Sequence, residues 1–236
     1  MRQAQGATMK TAIFLSIALA VPGAVLASPP GSADAQRDIY TYALDLDAQG
    51  RIEAVAPHGF VPDATGTALA QDIRGWTFRA GEAGDTRTYL RVVVDRPADA
   101  GQGYRVVSAT TGPAPEQLTQ PEYPMRDQLS DHQGMVVLKL QVGADGAVSG
   151  ADVHATSGNV SRAMASRAAD AARAWTFTPE QVDGQPVAAT MLWPVCYLGA
   201  QASASECSWN GPDAQRFSSR SVLPLDANVT LVSSNR

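Results

Sequence analysis

From Val136 to Val142 the chain alternates: Val136, Leu138, Leu140 and Val142 are apolar and share one face of an extended strand. Asp145-Gly146 follows as a tight hairpin turn, since glycine accepts the positive φ such turns need. Val148 to Thr156 reads as the return strand, broken at Ser157-Gly158-Asn159. The period then changes. Ser161 is placed to cap a helix, and Met164, Ala168, Ala172 and Trp175 recur at helical spacing on one face. Arg162, Arg167, Asp170 and Arg173 lie largely on the opposite face. Thr176, Phe177 and Pro179 end the helix, and Val187 to Val195 predicts a last strand.

The same order occurs earlier in the chain. Tyr42, Leu44, Leu46, Gly50 and Ile52 align with Leu138, Leu140, Val142, Gly146 and Val148. Leu69, Ile73 and Trp76 mark a shorter helical face, weakened by Gly75. Trp76-Thr77-Phe78 matches Trp175-Thr176-Phe177. A glycine-containing turn follows each triplet, at Gly81 and Gly84 in one copy and Gly184 in the other, and Thr88 to Val94 is the strand after it. Between the copies, Asp95 to Gln120 holds a candidate strand, Tyr104 to Ala109, and a linker-like stretch, TTGPAPEQLTQP. Beyond Cys207, Val229 to Val232 offers a final strand. The expected organisation is a leader at 1–27, a module at 36–97, a linker with a strand at 98–119, a second module at 120–198, and a loop and tail at 199–236.

Composition narrows the function. A hydrophobic content of 44% supports a packed core, and a net charge of −5 argues against a nucleic-acid partner, which requires a basic surface. Lys10 precedes an apolar run from Thr11 to Val21, and Val25-Leu26-Ala27 offers small residues for cleavage after Ala27. Such a leader directs export to the periplasm; retained, it would instead anchor the chain in the inner membrane facing the periplasm. Two cysteines, Cys196 and Cys207, in an exported chain favour a disulfide closing a short loop over free thiols or a metal. His58, His132 and His154 show no ligand spacing, so no metal and no cofactor is expected.

No catalytic constellation emerges. Asp45 and Asp47 resemble paired carboxylates but alternate with Leu44 and Leu46, as a solvated strand face does. Ser157 has no evident base beside it, and no nucleophile elbow or phosphate loop is present. Trp76 and Trp175 read as core anchors at helix ends. The expectation is a non-enzymatic protein.

The second copy resembles the TonB C-terminal domain family. The resemblance is carried by Gln120-Pro121-Glu122-Tyr123-Pro124, Gly134, the Asp145-Gly146 hairpin, Ser157-Gly158, Trp175-Thr176-Phe177-Thr178-Pro179 and Gly184-Gln185-Pro186-Val187. It covers roughly residues 118 to 197, and the first copy is a degenerate match. It implies an α+β fold of two tandem small modules, each a short antiparallel sheet packed on one helix. It also implies recognition by strand addition, in which an extended segment of an envelope or outer-membrane transport protein pairs with an exposed sheet edge. On this resemblance Val187, Thr190 and Leu192 mark the edge, and Gln120 and Tyr123 mark contacts at the entrance. Pro194 removes one donor from that edge, and the Cys196–Cys207 loop would adjoin it. A homodimer is compatible with short modules of this kind. The alternatives to a binding module are an anchored energy transducer, if the leader stays, and an accessory envelope protein that has lost peptide binding.

Overall fold

The computed structural model describes residues 36–81, 84–96, 103–199 and 223–234. The leader and Cys207 lie outside them, and so does the expected Cys196–Cys207 bridge.

Strand β1 (Gln36–Leu46) buries Tyr40, Tyr42, Leu44 and Leu46 on one face. β2 (Ile52–Pro57) returns antiparallel beside it. Asp47 holds the turn, its Oδ1 accepting from the amides of Gln49 and Arg51, both at 2.9 Å. Helix α1 (Ala64–Ile73) starts at Asp63, whose carboxylate accepts from the Gly66 amide at 2.7 Å. β3 (Thr77–Ala80) and β4 (Thr86–Arg96) follow, and β4 pairs with β1 along its whole length.

The order recurs. After the short helix α2 (Met125–Leu129) come β7 (Gly134–Val142), β8 (Val148–Gly158), α3 (Arg162–Ala172), β9 (Thr176–Thr178) and β12 (Ala189–Tyr197). Ser161 caps α3 by accepting from the Met164 amide at 3.2 Å. Trp76 and Trp175 fall just past their helices; each amide reaches back three residues, to Ile73 at 2.9 Å and Ala172 at 3.1 Å. Both indoles are buried, in two separate cores built on β1, β4 and α1 and on β7, β12 and α3.

Between the two runs lie β5 (Arg105–Gly112) and β6 (Ala114–Gln117), and after the second lie β13 (Leu223–Pro224) and β14 (Val229–Ser233). Each run's first following strand stays home: β5 pairs with β4, and β13 with β12. Each second one crosses over: β6 pairs with β9, and β14 with β3. A hairpin of β10 (Gln181–Val182) and β11 (Gln185–Pro186) also crosses, laying β10 against Thr86 and Arg87 of β4. The larger sheet therefore runs β11-β10-β4-β1-β2 with β5 also on β4, and the smaller runs β13-β12-β7-β8. All described residues fall in a single contact unit, Ala33–Arg236, and neither half completes its strands alone.

Two matching glycines explain the repeated turn. Gly50 and Gly146 have φ of 78° and 81°, and a Cβ there would sit 2.6 Å from the Phe78 carbonyl oxygen and 2.0 Å from that of Phe177. The hairpin tip thus rests on the backbone of the Trp-Thr-Phe strand, and Phe177 donates its amide to the Gly146 carbonyl at 2.9 Å. Gly146→Ala should cost about 2–4 kcal/mol, combining left-handed strain with a backbone clash, measurable by urea unfolding.

Glu180 joins the halves. It follows β9, is 1% exposed, and accepts from Thr88 Oγ1 of β4 at 2.5 Å and from Asn228 Nδ2 before β14 at 3.0 Å. Burial pushes its carboxyl above the ordinary value of 4.5, against the two hydrogen bonds, which lower it. The folded chain then holds this proton more tightly than the unfolded one. The stabilising effect is complete below the ordinary value and is lost as pH rises through the raised one. Asp47 and Asp63, held low chiefly by backbone amides of Arg51 and Gly66, act on the acid side of that window. Unfolding free energy should therefore fall with pH above the ordinary value, by at most about 1.4 kcal/mol per pH unit. Glu180→Gln should flatten the slope, as urea unfolding across a pH series would reveal.

Candidate functional site

β12 is paired along one side with β7, from Ala189↔Val142 to Tyr197↔Gly134 without a break. Its other side faces the tail. Leu192 and Met191 pair with Leu223 and Pro224 of β13. Thr190 donates its amide to both carboxylate oxygens of Asp226, at 2.8 and 3.0 Å, and accepts the Leu225 amide at 2.8 Å. Since Thr190 turns both backbone groups outward, the alternation of an antiparallel ladder turns those of Leu192, Pro194 and Cys196 the same way. Pro194 therefore takes no bond from β7; its missing donor falls on the outer edge.

The five expected contact residues do not converge. Thr190 and Leu192 stand on β12, and Leu192 is buried against Met135 and Val137 on the sheet face away from α3. Val187 precedes β12 and closes the crossing hairpin, donating its amide to the Glu180 carbonyl at 2.9 Å. Tyr123 packs edge-on against Tyr197 at 5.2 Å between ring centres and donates its hydroxyl to the His132 carbonyl. That is seven residues up β12 from Thr190, roughly 20 Å along a strand. Gln120 is exposed beside the Thr119 carbonyl that accepts the Trp175 indole N–H at 2.7 Å. The entrance segment belongs to the helix side of the sheet, where Glu122 also meets Arg167 at 3.3 Å.

Sequence reasoning missed Leu223, Leu225 and Asp226, which hold the outer edge of β12. The available signal was Leu223-Pro224-Leu225, two apolar residues flanking a proline, too short to show a period.

Other polar groups have structural occupations. Asp45 pairs with Arg87 at 2.6 Å and Asp47 with Arg51 at 2.6 Å, so the two carboxylates are spent separately at the surface. His132 Nδ1 sits 2.9 Å from Asp127. Arg91 lies 5.9 Å over the Trp193 ring, and its burial lowers the guanidinium to about 10. Among the described residues no cluster of His, Cys, Asp and Glu could hold a metal, and no helix is long and apolar enough to cross a membrane.

Asp226 is the clearest single test of how the edge is held. Asp226→Ala leaves the Thr190 amide without its acceptor, a loss of about 1–2 kcal/mol for a charge-assisted bond. Hydrogen exchange at Thr190 should quicken about tenfold, while amides bonded between β7 and β12 keep their rates.

No curated protein and no solved structure matches the chain. A family model described as Gram-negative bacterial TonB protein C-terminal matches residues 119–198, from the carbonyl that meets Trp175 to the end of β12. Residues 119–198 therefore belong to the TonB C-terminal domain family.

Proposed function

We infer that this chain is a protein-interaction component of the Gram-negative envelope, acting in transport, and not an enzyme. The family match over 119–198 is the observation that supports it: the family is one of protein interaction and energy transduction. On this reading the chain works in the periplasm, and its first half is a diverged copy of the family fold, since it repeats the order strand, strand, helix, short strand, long strand. The partner is an extended segment of an outer-membrane transport protein, adding as a strand to the outer edge of β12. There it must displace Leu223 to Asp226, which among the described residues hold positions 190–192 of that edge.

The covered edge favours a second reading. The tail already supplies a strand and a carboxylate at Thr190, which sorts the chain instead with accessory envelope proteins that keep the fold without the peptide. The two readings part in one experiment. Amide shifts of the labelled chain are followed while peptides from outer-membrane transporter N-termini are added. The same titration is run on Leu223→Asp/Asp226→Ala, which loosens β13 and leaves β14 in place. Saturable shifts at Thr190 and Leu192, roughly tenfold tighter in the variant, support strand addition. No shifts in either protein favour the accessory reading.

A further inference from the structure

A short piece of the chain's own tail lies on the outer edge of β12, and each of its residues meets a different environment. Leu223 lies across from Leu192 and packs with it against Met135 and Val137, on the sheet face away from α3. Pro224 lies across from Met191 on the other face, in a cleft walled by Tyr89, Gly112, Pro113, Met191 and Trp193. Arg91 borders that cleft, its guanidinium 5.9 Å over the Trp193 ring. About 10 Å³ stays open beside the proline, room for no more than one water, so a compact side chain fills the place. Leu225 gives its amide to the Thr190 carbonyl at 2.8 Å, but its side chain is 46% exposed and is not selected for.

Asp226 makes the bond that a plain ladder lacks. In an antiparallel pair Thr190 would give its amide to the main-chain carbonyl of the residue opposite, Leu225. It gives it instead to both carboxylate oxygens of Asp226, at 2.8 and 3.0 Å. A main-chain carbonyl is the same in every sequence; a carboxylate is not, and its charge-assisted bond is the stronger. Leu225 turns its amide toward β12, so the alternation points the backbone nitrogen of Pro224 away, where a missing donor does no harm. Two residues past Leu192, Pro194 gives no amide to this edge. The edge thus reads side chains over a short stretch.

We propose that residues 223–226 occupy the β12 edge as an internal ligand, and that the partner strand which replaces them carries the same chemistry: two consecutive apolar residues, the second compact, then any residue, then a carboxylate. The segment runs antiparallel to β12, as the tail does. This rests on the reading of the β12 edge as the partner site.

The test uses the full labelled chain, unaltered and as Leu223→Asp/Asp226→Ala, with a capped peptide of the sequence 222–227. Saturable shifts at Thr190 and Leu192 are expected in both, about tenfold tighter in the variant, whose internal ligand is loosened. A peptide carrying Asp226→Asn should bind about tenfold more weakly, and one carrying Leu223→Ser/Pro224→Ser at least about tenfold more weakly, in the same order in either chain. Peptides from outer-membrane transporter N-termini should rank by the same pattern. Changing the carboxylate of the tightest one to its amide should weaken it about tenfold. Unmoved signals with the 222–227 peptide in both chains, up to the solubility limit, overturn the proposal. Equal binding by the three tail peptides overturns it too, since the edge then reads backbone alone. Transporter peptides that bind without regard to the carboxylate also overturn it and leave strand addition standing. Patterned binding of the tail peptides, with no binding by transporter peptides, upholds the chemistry of the site and removes those transporters as the source.

Discussion

β3 has four residues and β9 has three, and each is completed by a strand from outside its own half. Strands this short cannot hold themselves; their backbone groups need a partner and their side chains a core. β6 reaches β9 on leaving the first half, and β14 reaches β3 on leaving the second. This exchange is what the rest of the molecule depends on. It sets Thr119 across Trp175, carries Asn228 to Glu180, and brings the hairpin of β10 and β11 beside β4. Glu180 shows the consequence most plainly. A carboxyl is buried there because it receives donors from one half and from the tail at once.

The covering of β12 follows from the same constraint. A tail that must reach β3 passes along the outer edge of β12 on its way, and pairs there through Leu223 and Pro224. Among the described residues it meets that edge at residues 190–192, and β14 tethers it, so its local concentration stays high. On the proposed strand-addition reading, a partner strand competes with this tethered segment and not with water alone.

Much of this architecture was legible because it is local. Alternation in Val136–Val142, the Asp145-Gly146 turn, the Ser161 cap and the Trp-Thr-Phe repeat depend on neighbours in sequence, and the structure has them where the pattern puts them. The exchange was not legible. Which half β14 joins is a long-range pairing, and two-residue strands such as β13 carry no period. Thr190 and Leu192 were readable as strand positions, whereas Val187 looked continuous with them until the crossing hairpin took its amide. Trp76 and Trp175 are identical in their triplets, and only the fold separates the indole that is met from the one that has no partner among the described residues.

The two runs of elements end up asymmetric in a consistent way. In the first half, β5 seals the edge of β4 from Tyr89 to Asp95, leaving no room for a further strand there. In the second half the entrance segment lies across Trp175, while among the described residues the corresponding edge is held at residues 190–192. A long seal needs many bonds broken together; a short one needs few. On the proposed function, recognition by backbone ladder therefore has its opening in the second half. The two runs thus present different edges, because each half spends its neighbour's strands in a different place.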